Sequence, residues 1–310
     1  MRRREPIEPE PARTGVGNSD RIRVQCPGYP LLPVRFSHNN GWTTRVTPTV
    51  LTIAGSDSGG GAGIQADLKT FSALGTYGTS VITAVTAQNT TAVTAVHPIP
   101  CEVIAAQIAA VLADIDVHAI KIGMLGGPEV VDCVAGALAG FEGPVVLDPV
   151  MVAKSGDALL PDDAVAALVH HLLPRATVLT PNLPEAARLL DTTPATNDAE
   201  MQDQGRRLMA MGAGAVLMKG GHGAGDTCTD WLITASGAEA FDAPRIATTN
   251  THGPGCTLSA ASAAGLAQGM TLPPAVGRAH GWLHGAIRAA DGLKIGQGHG
   301  PVHHFHEVWG

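Results

Sequence analysis

The sequence predicts an α/β fold of three layers, in which helices cover both faces of a mostly parallel sheet. From Thr49 onward, short and continuously apolar runs alternate with stretches of helical periodicity, and this alternation is typical of parallel sheets that are buried on both faces. Alanine and glycine are abundant while aromatic residues make up only 4% of the chain, which suits helices packed closely on a sheet. Residues 226–234 and 238–245 break the alternation, and we predict that they form a small hairpin at the sheet edge.

The predicted elements follow one another along the chain. Residues 63–74 carry apolar side chains at helical spacing and are predicted as a helix. After the hairpin, a loop at 251–256 leads into two closing helices, residues 255–268 and 273–291. The predicted strands are residues 50–54, 80–86, 119–124, 145–150, 177–180 and 215–219. Ligands of such sheets bind beyond the carboxyl ends of the strands, so we expect the functional residues in the loops that follow them.

The first 47 residues differ from the rest of the chain. They hold eight arginines, no lysine, four acids and six prolines, and we interpret them as a mostly disordered extension or as the product of an upstream translation start. A signal peptide is disfavoured because the three arginines at positions 2–4 are followed by Glu5 and Pro6 and not by an apolar core. We therefore place one folded domain at residues 48–310.

Composition disfavours several classes of partner and favours one compartment. The formal charge of −7 and the pI near 6.0 give no reason to expect nucleic acid or an anionic membrane as a partner. No apolar run approaches the roughly 20 residues that a spanning helix needs. Five scattered cysteines without a Cys-x-x-Cys pair argue against a disulfide framework or a zinc site and favour a reducing cytoplasm.

One stretch, residues 249–259, combines a glycine-rich loop with the start of a helix. Free backbone N–H groups and the positive end of the helix dipole make such a junction suitable for a phosphate. Cys256 lies at this junction, where the dipole is expected to lower its thiol pKa and favour the thiolate. The sequence thus predicts one segment that neutralises a phosphoryl group and accepts a proton from the attacking hydroxyl. The alternative is a glycine-rich turn followed by a helix with a small buried cysteine.

Polar residues do follow the predicted strands. Gln88 follows the second strand, and Asp148 lies at the end of the fourth. Asn182 and Glu185 enter the helix after the fifth strand, where with Asp148 they could hold Mg²⁺ beside nucleotide phosphates. The alternative for Asn182 and Glu185 is an ordinary helix-capping pair. Lys219, after the sixth strand, could contact a phosphate or simply be solvated.

Three other motifs point to competing functions. The glycine-rich loop at 55–63 resembles a dinucleotide fingerprint, but the chain has no acid between Asp67 and Glu102 to bind the ribose hydroxyls of NAD. The P-loop pattern is absent. Histidines at 280, 284 and near the C-terminus form no His-Glu-x-x-His motif, so surface or capping roles are favoured over a metal site.

In combination, the motifs resemble the hydroxymethylpyrimidine/phosphomethylpyrimidine kinases, which belong to the ribokinase-like superfamily and act in thiamin biosynthesis. The resemblance begins at about residue 48 and continues to the C-terminus with the motifs in order, which makes it far more specific than any single motif. The motifs that carry it are residues 54–70 (AGSDSGGGAGIQADLKT), 83–90 (TAVTAQNT), 121–125 (KIGML), 148–151 (DPVM), 180–185 (TPNLPE), 219–222 (KGGH), 251–256 (THGPGC) and 298–305 (GHGPVHHF).

The resemblance implies a role for each residue of the site. Cys256 would be the proton acceptor, with Gly253 and Gly255 forming the anion hole around the transferring phosphoryl group. The residues that would bind the aminopyrimidine alcohol are Gln88, Asp67, Gly55, Ala62, Met124 and Val150. The ATP phosphates would be bound by Asn182, Lys219 and Thr251. The Mg²⁺ ion would be bound by Asp148 and Glu185. The implied products are the monophosphate and then the diphosphate.

One position departs from the family pattern, because Pro254 stands where the family usually has threonine. Proline has no N–H, so the anion hole loses one possible donor, although the fixed φ of proline could stiffen the loop. We expect an active kinase that is slower if this donor matters. The open alternatives are a pyridoxine or pyridoxal kinase of the same fold and a non-catalytic pyrimidine-binding protein. A homodimer is also expected from the resemblance.

Overall fold

The computed structural model describes residues 46–151, 160–221 and 225–309. The predicted extension therefore lies outside the described residues, except for its last two, as does His222 of the 219–222 motif. The strands are β1 (Thr49–Asp57), β2 (Tyr77–Gln88), β3 (Val93–Pro98), β4 (Ala119–Ile122), β5 (Val145–Leu147), β6 (Val178–Leu179), β7 (Val216–Met218), β8 (Thr227–Thr234) and β9 (Gly237–Pro244). The α-helices are α1 (Gly63–Ala73), α2 (Cys101–Asp114), α3 (Pro128–Ala137), α4 (Asp162–His171), α5 (Leu183–Leu189), α6 (Asp198–Ala210), α7 (Pro254–Ala267) and α8 (Leu272–Arg288).

The described strands form a single sheet in the order β3-β2-β1-β4-β5-β6-β7-β8-β9. Within this order, the six strands β2-β1-β4-β5-β6-β7 are parallel to one another. At one edge β3 pairs antiparallel with β2, and at the other β8 and β9 form an antiparallel hairpin on β7. The predicted mostly parallel sheet with a hairpin at its edge is confirmed.

Two apolar cores lie on opposite faces of the sheet. One core packs helices α2 to α6 against alternate strand residues such as Ile53, Ile122 and Leu147. The other packs α1, α7 and α8 against the residues between them, such as Val50 and Val146. Each central strand is buried on both faces, which is why its sequence is continuously apolar. The predicted three-layer sandwich is confirmed.

On the face covered by α1, α7 and α8, polar side chains take the place of apolar ones near the carboxyl ends of the strands. Thr52 is the register partner of Lys121, and Lys121 is the partner of Val146, so all three side chains lie on the face that α7 covers. Asp148, which directly follows β5 and stands two residues after Val146, is expected on the same face. Polar and charged side chains therefore lie under the start of α7, where the apolar rows end.

The main error of the sequence prediction is β3, which was not recognised. All its residues after Val93 are exposed, so it has no buried apolar face to produce a periodic pattern. Within the described residues, none of the helices combines the length and hydrophobicity that a transmembrane segment requires.

Candidate active site

The loop before α7 turns sharply so that the helix start faces the site. Gly253 is the N-cap residue of α7 and has a φ of 80°, a left-handed conformation that favours glycine. A Cβ atom at this position would also collide with the carbonyl oxygen of Gly61. Pro254 is the first helical residue, where its missing N–H is tolerated. An α-helix leaves the N–H groups of its first turn without an intrahelical acceptor, so among the described residues the free donors here are those of Gly255 and Cys256.

A cluster of buried charges lies beside this helix start. Lys219 Nζ donates a hydrogen bond of 2.8 Å to Asp148 Oδ1 and lies 3.8 Å from Glu185 Oε2. A Cβ atom on Gly255 would be 3.2 Å from Lys219 Nζ, which places the ammonium group directly against the first turn of α7. The prediction that these strand-end loops meet is thus confirmed by the structure.

Burial and charge set the ionisation of this cluster. Burial alone would raise the pKa of Asp148, but Lys219 and Lys121 hold it below its usual value. Burial raises the pKa of Glu185 to about 7 despite the opposing effect of Lys219. Burial would lower the pKa of Lys219, yet Asp148 and Glu185 raise it. At neutral pH the cluster therefore presents a charged lysine held between two carboxyl groups.

Asn182 and Glu185 also form a capping box at the start of α5. Asn182 Oδ1 accepts a hydrogen bond of 2.9 Å from the Glu185 N–H, and Glu185 Oε2 accepts one of 2.8 Å from the Asn182 N–H. The capping alternative is therefore present in the structure, and the same Glu185 oxygen also lies next to Lys219. Asn182 Nδ2 has no hydrogen bond within the described residues, so it remains a free donor at the site.

Cys256 differs from the prediction in its ionisation. Burial raises the pKa of its thiol to about 11; Lys121 opposes this, while Asp148 and Asp67 add to it. The prediction of a lowered pKa is wrong, because the loss of hydration outweighs the helix start and the neighbouring ammonium group. The sulfur nevertheless lies near charged groups, since Lys121, Asp148 and Asp67 all act on its pKa.

Asp67 has two partners on the neighbouring strands. Its Oδ2 atom accepts hydrogen bonds of 2.6 Å from Thr52 Oγ1 and 2.9 Å from Lys121 Nζ. Its Oδ1 atom is buried and has no hydrogen-bond partner within the described residues. Burial raises the pKa of Asp67 and the neighbouring Lys121 opposes that rise. The contact of Asp67 with a substrate stays a prediction.

Asp57 connects the glycine-rich loop after β1 to the loop before α7. Its carboxylate accepts hydrogen bonds from the N–H groups of Gly59, Gly61 and Ala62 at 2.8–3.0 Å. The same carboxylate lies 2.7 Å from His252 Nε2. Since His252 stands four residues before Cys256, this one buried acid fixes both loops.

The predicted substrate residues cluster around the same loops. Gln88 lies at the end of β2, 3.5 Å from His252. The Cε atom of Met124 fills the space that a Cβ on Gly55 would need, so these two residues are in contact. Ala62 is the N-cap of α1. Val150 follows β5, where its N–H donates to the Asp148 carbonyl.

Thr251 is predicted to bind the ATP phosphates, and the structure gives it a local backbone contact. Its N–H donates a hydrogen bond of 3.0 Å to the Thr249 carbonyl. In the described ranges its side chain has no hydrogen bond with Asn182 or Lys219. Its contact with ATP therefore stays a prediction.

The C-terminal segment reaches back to the site. The His252 N–H donates a hydrogen bond of 3.0 Å to the Gly300 carbonyl, and the His299 N–H donates one of 2.9 Å to the Thr90 carbonyl. His304 Nε2 lies 3.0 Å from Thr257 Oγ1, in the first turn of α7. That hydroxyl donates to the Gly253 carbonyl at 2.8 Å, so His304 is the donor in its own contact.

Four residues that make buried contacts around the site were not assigned roles from the sequence: Asp57, Lys121, His252 and His304. All four are almost completely buried. A lysine inside the otherwise apolar run of β4 was a signal of a buried ion pair, since lysine is almost never fully buried without a partner. The partners of the other three are set by loop packing and could not be read from spacing.

Comparison with known proteins agrees with this geometry. The family model described as phosphomethylpyrimidine kinase matches residues 57–303. The hydroxymethylpyrimidine/phosphomethylpyrimidine kinase of Rhizobium meliloti is 57% identical over 264 residues, which cover 85% of this chain and 99% of that protein.

Two solved structures are also similar. The pyridoxal kinase of Bacillus subtilis, solved as an ADP complex, is 36% identical, has a TM-score of 0.79 and covers 85% of this chain and 100% of its own. The phosphomethylpyrimidine kinase of Clostridium difficile is 42% identical, with a TM-score of 0.69 and coverage of 77% and 99%. The chain therefore belongs to the phosphomethylpyrimidine kinase family, a group of phosphotransferases with the ribokinase-like fold.

Proposed function

We propose that this protein transfers the γ-phosphoryl group of ATP to the hydroxymethyl group of 4-amino-5-hydroxymethyl-2-methylpyrimidine. It then phosphorylates the monophosphate to the diphosphate that thiamin assembly uses. The observation that carries the proposal is the position of the α7 start. Its free N–H groups lie against the Lys219–Asp148 pair, and its preceding loop contacts Gln88 through His252. A phosphoryl donor and a ring-bearing acceptor can therefore meet at one helix terminus.

The nucleotide binds on the Lys219 side of this terminus. The ammonium group of Lys219 and the free Nδ2 of Asn182 are donors for phosphate oxygens, and Thr251 is assigned to the same side. The free N–H groups of Gly255 and Cys256 face the transferring group, where developing charge is stabilised most effectively by fixed donors.

The carboxyl groups of Asp148 and Glu185 suit a magnesium ion that is bound together with the nucleotide. Both are oxygen donors, and Mg²⁺ usually takes one or two carboxylates and completes its shell with phosphate oxygens and water. Within the described residues, no group of three or more His, Cys, Asp or Glu side chains is arranged to hold a metal ion. Such an ion would neutralise charge on the phosphates.

The acceptor alcohol binds on the Gln88 side. Gln88 hydrogen-bonds the ring, and Met124 with Gly55 packs against it, while Asp67, Ala62 and Val150 complete the assigned set. Cys256 accepts the proton of the hydroxyl group as a thiolate. Because burial raises the pKa of its thiol to about 11, the thiol must first release its own proton to solvent, and the thiolate is the minor form at neutral pH. Phosphoryl transfer passes through a loose transition state with little demand for an ionised nucleophile, so positioning and charge neutralisation carry most of the rate enhancement.

A second candidate function is supported by one comparison. The B. subtilis pyridoxal kinase matches this fold over 85% of the chain, and pyridoxal is also a flat heteroaromatic primary alcohol. The identity of 36% is lower than the 57% shared with the R. meliloti pyrimidine kinase. We therefore propose the pyrimidine as the main substrate and pyridoxal as a side substrate.

One assay separates these functions. The protein is incubated with ATP, Mg²⁺ and either alcohol, ADP release is followed, and the products are identified by mass. We expect the pyrimidine monophosphate first and the diphosphate later, with slower turnover of pyridoxal. Turnover of pyridoxal alone would reassign the substrate. Binding of the pyrimidine without ADP release would show a non-catalytic protein.

Two further properties belong to the proposal. We assign the protein to the cytoplasm, where thiols stay reduced, and we expect a homodimer. The β2–β3 edge supports the latter, because it exposes the large apolar side chains of Tyr77, Val85 and Val96. Sedimentation equilibrium should give a mass of twice 31.7 kDa. A single 31.7 kDa species would contradict the dimer.

A further inference from the structure

Two cysteines that the proposed function does not use lie next to each other on one face of the sheet. Cys101 is the first residue of α2, and Cys133 lies in the middle of α3. Both pack against the apolar core that α2 to α6 cover, and both are partly exposed and carry free thiols. They are 32 residues apart in the chain, so it is the packing of the two helices that brings them together.

Each thiol contacts the backbone of the opposite helix. Cys133 Sγ lies 3.2 Å from the carbonyl oxygen of Cys101. Cys101 Sγ lies 3.6 Å from the carbonyl oxygen of Glu129, in the first turn of α3. The two sulfur atoms are thus directed toward each other's helix. A disulfide needs this close approach of two backbones, since it joins Cα atoms only about 4.4–6.8 Å apart.

The surroundings of Cys101 keep its thiol protonated at neutral pH. Burial raises the pKa of this thiol, and Cys133, through its charge and a side-chain hydrogen bond, raises it further together with Glu129 and Glu102. The effect of Cys133 means that the two thiols are neighbours. Because the thiolate is the reactive form of cysteine, the reactivity of Cys101 should increase as the pH rises.

We propose that Cys101 and Cys133 form a modification site, at which an oxidising low-molecular-weight disulfide converts the two thiols into one intramolecular disulfide between α2 and α3. The inference does not depend on the proposed function. Two other cysteines of the described chain lie on the opposite face of the sheet. Cys256 is in α7, and Cys228 shares a face of β8 with Leu232, which packs in the core of α7 and α8.

The reaction takes place in two exchange steps. The thiolate of Cys101, whose contact with Glu129 lies at an exposed position, attacks one sulfur of the oxidant, and the other half of the oxidant leaves as a thiolate. Cys133 then loses its proton to solvent and attacks Cys101 Sγ, and the second half of the oxidant leaves. The protein sulfurs lose two electrons and two protons in total, and the oxidant takes them up as two thiols.

The disulfide closes a loop that contains all of α2 and β4. A cross-link across such a loop restricts the unfolded chain, so the oxidised protein should unfold at a temperature roughly 5–10 °C above that of the reduced protein. Calorimetry of both forms measures this difference. An equal or lower temperature for the oxidised form would show that the native packing of α2 on α3 does not accommodate the bond.

Peptide masses test formation of the bond directly. The reduced full-length protein is incubated with oxidised glutathione at pH 8, the remaining thiols are blocked with iodoacetamide, and the protein is digested with trypsin. Because Lys121 lies between the two cysteines, trypsin places them in separate peptides, residues 70–121 and 122–154, each with a single cysteine. We expect one linked species whose mass is the sum of both peptides less two hydrogen atoms, and which separates on reduction.

Three variants complete the experiment. Cys133→Ser and Cys101→Ser should each abolish the linked species, and in Cys133→Ser the other thiol should carry glutathione. Cys228→Ser, which removes a partly exposed thiol on the other face, is the matched control and should keep the linked species. Recovery of both wild-type peptides in alkylated form would overturn the proposal. So would a linked species found only in covalent dimers on a non-reducing gel, because the disulfide would then join two chains.

Discussion

Lys121 donates a hydrogen bond of 2.9 Å to Asp67, and neither side chain has any exposed surface. The pair joins β4 to α1 beneath the start of α7. Burial would lower the pKa of Lys121, but Asp67 and the neighbouring Cys256 and Asp148 raise it. Two charges removed from water are costly, and each is tolerated only in the presence of the other. The pair therefore makes the position of β4 under the site dependent on α1.

Because each buried charge depends on the other, we predict that substitutions of Asp67 and Lys121 have strongly non-additive effects on the free energy of unfolding. Lys121→Met leaves a buried carboxylate without its cation and should lower the free energy of unfolding by about 3–5 kcal/mol. The double variant Asp67→Asn/Lys121→Met removes both charges, so it should lose much less stability than Lys121→Met alone. Urea denaturation of the wild type, both single variants and the double variant measures the coupling. Simple additivity of the single effects would refute the buried pair.

Replacing the sulfur should affect turnover and not substrate binding. Cys256→Ala removes the proton acceptor but leaves both loops and Gln88 intact, so we expect kcat to fall about 10²–10⁴-fold while the dissociation constant of the pyrimidine hardly changes. The control is Cys101→Ala, because that thiol lies on the other face of the sheet, at the start of α2. Near-normal kcat in Cys256→Ala would show that another group accepts the proton.

Pro254 offers a direct test of the missing donor in the anion hole. Pro254→Thr adds an N–H group to the first turn of α7, and we expect kcat to rise with an unchanged pyrimidine dissociation constant. Loss of the proline should lower the free energy of unfolding by about 0.4–1 kcal/mol. Pro254→Ala separates the new N–H from the new hydroxyl, since it adds only the former. Unchanged kcat in both variants would show that this donor does not face the transferring group.

His304 should make stability depend on pH. Burial, with Lys69 nearby, lowers the pKa of His304 to about 3 in the folded protein, against about 6.5 in an unfolded chain. Between these values only the unfolded state binds the proton. This contribution to stability is therefore complete above pH 6.5 and is lost as the pH falls toward 3.

The measurement is a pair of urea titrations at pH 7.5 and pH 5. Over this interval the wild type should lose about 2 kcal/mol more stability than His304→Gln, which keeps a side-chain donor for Thr257. His97→Gln, at an exposed position, is the control and should retain the pH dependence of the wild type. Equal losses in wild type and His304→Gln would contradict the buried neutral imidazole.

The order of elements was predictable because it depends on local periodicity. The run around Ile53 is apolar on both faces of its strand, and the spacing of Ile64, Leu68 and Phe71 is helical. The local sequence therefore identifies each element. The position of the site followed from the rule that ligands bind beyond strand ends. Lys219 and Asp148 are 71 residues apart and still meet for this reason.

Contacts that depend on how loops pack were not predictable. Asp57 and His252 are separated by 195 residues, and nothing in their spacing indicates that one carboxylate fixes both loops. The ionisation of Cys256 was predicted in the wrong direction because a helix start is a local feature, whereas burial is a property of the whole fold. The edge strand β3 was missed since its solvated side chains carry no periodic signal.

The bond from the His252 N–H to the Gly300 carbonyl has a consequence for synthesis of the chain. The ribosome releases residues in order, and the segment that contains Gly300 follows every strand of the described sheet in the chain. The sheet can therefore form earlier, but the loop that holds His252 and Cys256 lacks its neighbour until this segment has emerged. A nascent chain that has not yet released Gly300 should be folded but inactive.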